Sequence, residues 1–88
     1  MTRKRVVVTG RVQGVFFRDT TRRRAEAAGV SGWVSNRPDG AVEAVFEGDE
    51  AAVDQLVDFC RRGPGRAEVA GAEVTEEQPE GLNGFQVR

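Results

Sequence analysis

Three consecutive β-branched residues, Val6-Val7-Val8, run into a loop with glycine at both ends, Gly10 and Gly14, and a helical pattern begins at Phe17. The valine run lacks polar alternation, which marks a strand covered by helices on at least one face, and the reading places this strand over Lys4 to Thr9. Phe17, Thr21, Ala25 and Ala28 then recur at helical spacing. Asp19 falls in the first turn, where the macrodipole favours a carboxylate, and Gly29 is placed to close the helix. A first helix over Phe17–Ala28 is therefore expected, with Arg22, Arg23 and Glu26 on its solvated side.

The loop between the two elements has a chemistry of its own. The first amides of a helix lack partners inside it, and glycines let the preceding chain curl so that more amides face one small space. Such a concavity binds anions. Arg18 falls in the first turn, where a cation is disfavoured unless something negative sits between it and the amides. A phosphate would resolve that conflict, because the guanidinium fork takes two oxygens and the amides take the rest. The spacing is neither GxxxxGK[ST] nor GxGxxG, which argues against a nucleotide P-loop and a dinucleotide fold. Spacing alone also fits an ordinary strand-to-helix turn with a surface arginine.

Further along, Val30 to Ser35 reads as a second strand and Asn36-Arg37-Pro38-Asp39-Gly40 as a turn. Ala41 to Glu47 alternates, with Val42, Ala44 and Phe46 on one face and Glu43, Val45 and Glu47 on the other, so the pair forms a hairpin. Trp33 is expected in the core or on a sheet face. A second helix opens at Gly48-Asp49, with Asp49 as N-cap, and carries a stripe of Val53, Leu56, Val57 and Cys60 until Gly63-Pro64-Gly65 stops it. Ala67 to Thr75 is a weaker strand, Thr75 to Leu82 a polar connection, and Gly84 to Arg88 a short closing strand. The order β-α-β-β-α-β plus a terminal strand matches an α+β, ferredoxin-like sandwich, an antiparallel sheet with two helices on one face. In that plan Asn36 ends the second strand near the mouth of the glycine loop, where its amide is either a turn residue or a group that positions a water.

Composition narrows the chemistry. With 88 residues the chain is read as one domain, residues 1–88. Thirteen basic and 14 acidic residues give a net charge of −1, which argues against a field that attracts nucleic acid or an anionic membrane. There is no histidine and a single cysteine, so histidine-based general base catalysis, a Ser-His-Asp triad and a zinc site are excluded. Cys60 lies on the apolar stripe and reads as a core residue, and a lone thiol with no apolar leader suits the cytoplasm.

The segments Gly10-Arg11-Val12-Gln13-Gly14-Val15-Phe16-Phe17-Arg18, Gly32-Trp33-Val34-Ser35-Asn36, Asp39-Gly40 and Val42-Glu43 closely resemble the signature segments of the acylphosphatase family. The resemblance covers essentially the whole chain. It implies hydrolysis of the carboxyl–phosphate bond of small acyl phosphates, without a metal or other cofactor. Phosphate would then be both product and competing ligand. By position, Arg18 would bind the phosphoryl group and Asn36 would orient the attacking water. Arg11, Val12, Gln13, Gly14, Val15 and Phe16 would form the substrate-binding loop through their backbone amides. Neither nucleic acid nor a membrane is expected as partner, and nothing in the sequence demands more than a monomer. The competing class, an RNA-binding sheet of the same fold, would require exposed aromatics and a basic balance, and this chain has six aromatics and no tyrosine.

Overall fold

Strand β1 (Thr2–Arg11) is the hub on which the sheet assembles in the computed structural model, which describes residues 1–88. It pairs antiparallel with β3 (Val42–Gly48) on one side and β4 (Glu68–Glu77) on the other. Beyond β3 lies β2 (Ser31–Asn36), antiparallel, and then β5 (Phe85–Val87), which adds parallel to β2. The sheet order is β4-β1-β3-β2-β5, so the first four strands are antiparallel throughout and only the terminal strand makes the sheet mixed. Helices α1 (Phe17–Ala28) and α2 (Glu50–Arg62) pack on one face.

The helix-facing side is the core. Val6 and Val8 of β1, Val34 of β2, and Val42, Ala44 and Phe46 of β3 form one cluster with Phe17 and Ala25 of α1 and Val53, Leu56, Val57 and Cys60 of α2. Each large apolar side chain so buried contributes about 1.5–3 kcal/mol of transfer free energy. The stripe expected on α2 is all buried, and Phe59 joins it with its ring 6.1 Å from that of Phe17. Cys60 is buried, and burial pushes its thiol up to about 12, with the neighbouring Thr21 hydroxyl opposing, so it carries no thiolate near neutrality.

The opposite face is ionic. Arg3 is 5 % exposed and Glu47 1 % exposed, and they pair at 2.7 Å. Glu47 also accepts the backbone N–H groups of Glu80, Gly81 and Leu82, which fastens the connection between β4 and β5 to the sheet. Glu77 receives Arg3 at 2.8 Å and Arg5 at 2.7 Å, and Arg5 also pairs with Glu43. Trp33 lies on this face with the guanidinium of Arg88 4.5 Å and that of Arg5 5.6 Å from its ring. Here β4 runs on to Glu77, two residues past the expected Thr75, because these arginines hold its end against β1. Asp49 is the N-cap of α2 as expected, and it acts through its backbone: its side chain makes no capping bond, while its carbonyl accepts from Val53 N–H at 2.9 Å.

Candidate active site

The loop expected to hold an anion begins with a break in the ladder. Register against β4 shifts between Thr9 and Gly10, a bulge after which Gly10 and Arg11 still pair with Val69 and Glu68 before the chain leaves the sheet. Gly10 has φ +117°, and a Cβ built there would lie 2.3 Å from the Glu68 carbonyl oxygen, so only glycine fits. Beyond it Val12 is fully buried and Phe17 nearly so, pinning both ends of the turn into the core. Between these anchors Phe16 is 82 % exposed and adopts φ +60°, the one left-handed non-glycine residue in the chain. That conformation costs an L-residue roughly 1–2 kcal/mol, and such strain concentrates where backbone geometry is put to use.

This geometry leaves donors unspent. None of the backbone N–H groups from Val12 through Asp19 donates to a protein acceptor; the helix ladder resumes with Thr20 N–H to the Phe16 carbonyl at 3.1 Å. Eight consecutive free amides at the start of a helix, three of them belonging to its first turn, are the chemical requirement for binding an anion.

One cavity of about 510 Å³ adjoins this turn, lined by Val12, Gly14, Phe16, Phe17, Arg18, Asp19, Arg22, Asn36 and Val87. It brings Arg18 and Asn36, 18 positions apart in sequence, to the same hollow because α1 starts beside the end of β2. Arg18 pairs with no Asp or Glu side chain; its Nη1 donates to the main-chain oxygen of Arg88 at 3.1 Å, which leaves other guanidinium donors for a ligand. Arg88, which follows β5, is itself held against β2 through its N–H to the Val34 carbonyl at 2.8 Å. Asp19 is held below the usual carboxylate range by its hydrogen bond from Arg22, with burial opposing and Arg23 adding attraction, so its charge is offset within the cavity wall.

Not all of the expected loop lines that hollow. Val12, Gly14 and Phe16 do, whereas Arg11 and Val15 line a neighbouring cavity that shares Gly14 and Phe16 with the first. Gln13 lines neither; its side-chain amide donates to the carbonyls of Arg37 at 2.8 Å and Ala41 at 3.0 Å, tying the glycine loop to the turn that follows Asn36. Asp19, Arg22 and Val87 are wall residues that sequence reasoning left out. Arg22 stands one helical turn beyond Arg18, a spacing that gives it away; Val87 reaches the wall only through the parallel pairing of β5, which no local pattern signals. No three His, Cys, Asp or Glu side chains gather closely enough to hold a metal ion.

Comparison with known proteins gives a consistent result. The acylphosphatase family model matches residues 4–87. The chain is 64 % identical over 87 residues to an acylphosphatase of Rubrobacter xylanophilus, covering 98 % of this chain and 79 % of that protein. It is 58 % identical over 87 residues to one of Haloarcula marismortui, covering 99 % and 96 %. The crystal structure of an acylphosphatase from Bacillus subtilis superposes with a TM-score of 0.95 at 38 % identity, covering 100 % of this chain and 99 % of that one. With a family model that matches residues 4–87, a relative 64 % identical over 87 residues and a solved structure that superposes with a TM-score of 0.95, this chain belongs to the acylphosphatase family.

Proposed function

We propose that this protein hydrolyses small acyl phosphates to a carboxylate and inorganic phosphate, with the free amides of the loop and Arg18 binding the phosphoryl group and Asn36 orienting water. Family membership supports the reaction class. The observation that carries the residue-level reading is the run of unpartnered N–H groups beginning at Val12, beside a hollow lined by both Arg18 and Asn36.

In this reading the phosphoryl group lies against the free amides from Val12 through the first turn of α1. The oxygen of water attacks phosphorus as the bond from phosphorus to the acyl oxygen breaks, and the electron pair leaves with the carboxylate. The proton of the water passes to a phosphoryl oxygen of the substrate. A carboxylate is a good leaving group, so no strong general acid is needed, in keeping with a chain that contains no histidine. Charge in the transition state spreads over the equatorial oxygens, and fixed N–H donors with one guanidinium are suited to that distribution. This is why the reaction is read as metal-independent. The tether from Gln13 is read as setting the distance between loop and Asn36 rather than as a ligand contact. The reading makes the protein a monomer that works in the cytoplasm on small molecules, with phosphate as competing product.

Benzoyl phosphate hydrolysis followed in excess chelator tests the proposal. Turnover unaffected by chelator and inhibited competitively by inorganic phosphate is expected; a rate no faster than in buffer alone rejects it.

A further inference from the structure

The cavity that adjoins the proposed catalytic hollow is the larger of the two, about 730 Å³, and shares Gly14 and Phe16 with it. Four arginines from four parts of the chain line it: Arg11 at the end of β1, Arg24 on α1, Arg62 at the end of α2, and Arg66 in the connection to β4. No aspartate or glutamate is in its wall.

None of the four makes an ion pair, although Arg3, Lys4, Arg5, Arg22, Arg23 and Arg37 all do. Glu68 stands opposite Arg11 across the β1–β4 ladder without pairing to it. With 14 carboxylates to 13 cations the chain has acids to spare, so the clustering is a matter of placement. Arg24 is laid over the ring of Phe59 with its guanidinium 4.4 Å from the centroid, which orders that side chain in advance of any ligand. Guanidiniums converging on one concavity repel each other and raise the local concentration of anions, and their planar forks suit carboxylate or phosphate oxygens.

Resting on the acyl phosphate reading above, we propose that this cavity is a second anion subsite that receives the far end of the acyl group. The favoured substrates are then acyl phosphates whose acyl chain carries a second carboxylate or phosphate. Gly14 and the exposed Phe16 line both cavities, so an acyl chain that leaves the phosphoryl position past Phe16 runs toward the arginines.

Substrate pairs of matched length test this: succinyl against butyryl phosphate, and glutaryl against valeryl phosphate. The charged member of each pair is expected to have the higher kcat/KM by roughly tenfold at low ionic strength, mainly through KM, and the advantage should shrink as salt screens it. An Arg62→Gln/Arg66→Gln double variant, and separately Arg24→Gln, should move the charged-to-neutral ratio toward one; retained folding is checked by circular dichroism. Equal kcat/KM within both pairs, or a preference untouched in all variants, overturns the subsite. Free glutarate should inhibit turnover of glutaryl phosphate competitively. If it instead binds without competing and the charged substrates gain nothing, the cavity serves an independent anion and the proposal is wrong. Hydrolysis of all four substrates at equal efficiency leaves the parent reading standing and removes only the subsite, whereas hydrolysis of none removes both.

Discussion

Arg18 and Asn36 occupy one hollow but are asked to do different things, and their substitutions should separate. Arg18 makes its one protein hydrogen bond to a main-chain oxygen of Arg88, so Arg18→Ala removes the guanidinium proposed to bind the phosphoryl group. Near-complete loss of turnover is expected, and Arg18→Lys should restore little, because a point charge cannot reproduce the two-pronged contact. Asn36→Ala should lower kcat on the order of 10²–10³ with a much smaller change in KM, the pattern of a group that acts on the transition state. Steady-state kinetics on benzoyl phosphate provide the check; an Asn36→Ala enzyme within about fivefold of the parent would strip that residue of its role. At this scale the sequence told a partial story. The charge conflict at Arg18 was legible because helix polarity is a local property, and the same is true of Asn36 at a strand end. The use of Gln13 was not, since its partners Arg37 and Ala41 lie 24 and 28 positions away and no pattern links a glutamine to two distant carbonyls.

Among the elements, the strand–turn–helix unit depends on the bulge at Gly10 more than on any side chain. A methyl group there meets the Glu68 carbonyl oxygen at 2.3 Å and the Ala70 nitrogen at 2.7 Å, both backbone atoms of β4 that cannot step aside. Gly10→Ala is thus expected to cost about 1–3 kcal/mol from backbone conformation alone and to weaken phosphate binding as β1 shifts and carries Val12 with it. Gly14→Ala meets nothing within 4 Å and pays only for φ +75°, so it should be the milder change. Urea unfolding with a parallel phosphate titration would distinguish them, and equal effects at both positions would contradict the account. Element by element the sequence was a good guide wherever periodicity governs: α1 spans Phe17–Ala28 as its stripe and Gly29 require. It was a poor guide where distant ions govern, as at the end of β4, where Arg3 and Arg5 extend a strand whose own residues are too small and polar to declare it.

Taken whole, the molecule is a sheet with an apolar face under two helices and an ionic face on which Glu77 and Glu47 are the negative anchors, and these faces should respond differently to acid. Glu77 is held at about 2, against an ordinary 4.5, by its hydrogen bonds from Arg5 and Arg3. For Glu47 burial pushes upward, but the Glu80 N–H, the Arg3 guanidinium and the N–H groups of Leu82 and Gly81 outweigh it and the carboxyl is lowered. A carboxylate whose value is depressed by folding stabilises the fold above its unfolded value and gives that up as pH falls toward its folded one. For Glu77 the window therefore runs from about 4.5 down to about 2. Glu77→Gln should lower the thermal midpoint at neutral pH, and the gap to the parent should close across that window as the parent's own carboxylate takes up a proton. Kinetics at neutral pH should be left alone, because the proposed hollow is lined by none of Arg3, Arg5, Glu43, Glu47 or Glu77. Thermal unfolding of both proteins from neutral pH to about pH 2 measures this directly, and a gap that stays constant over the whole range would mean that the ionic face is not held by the charge of Glu77.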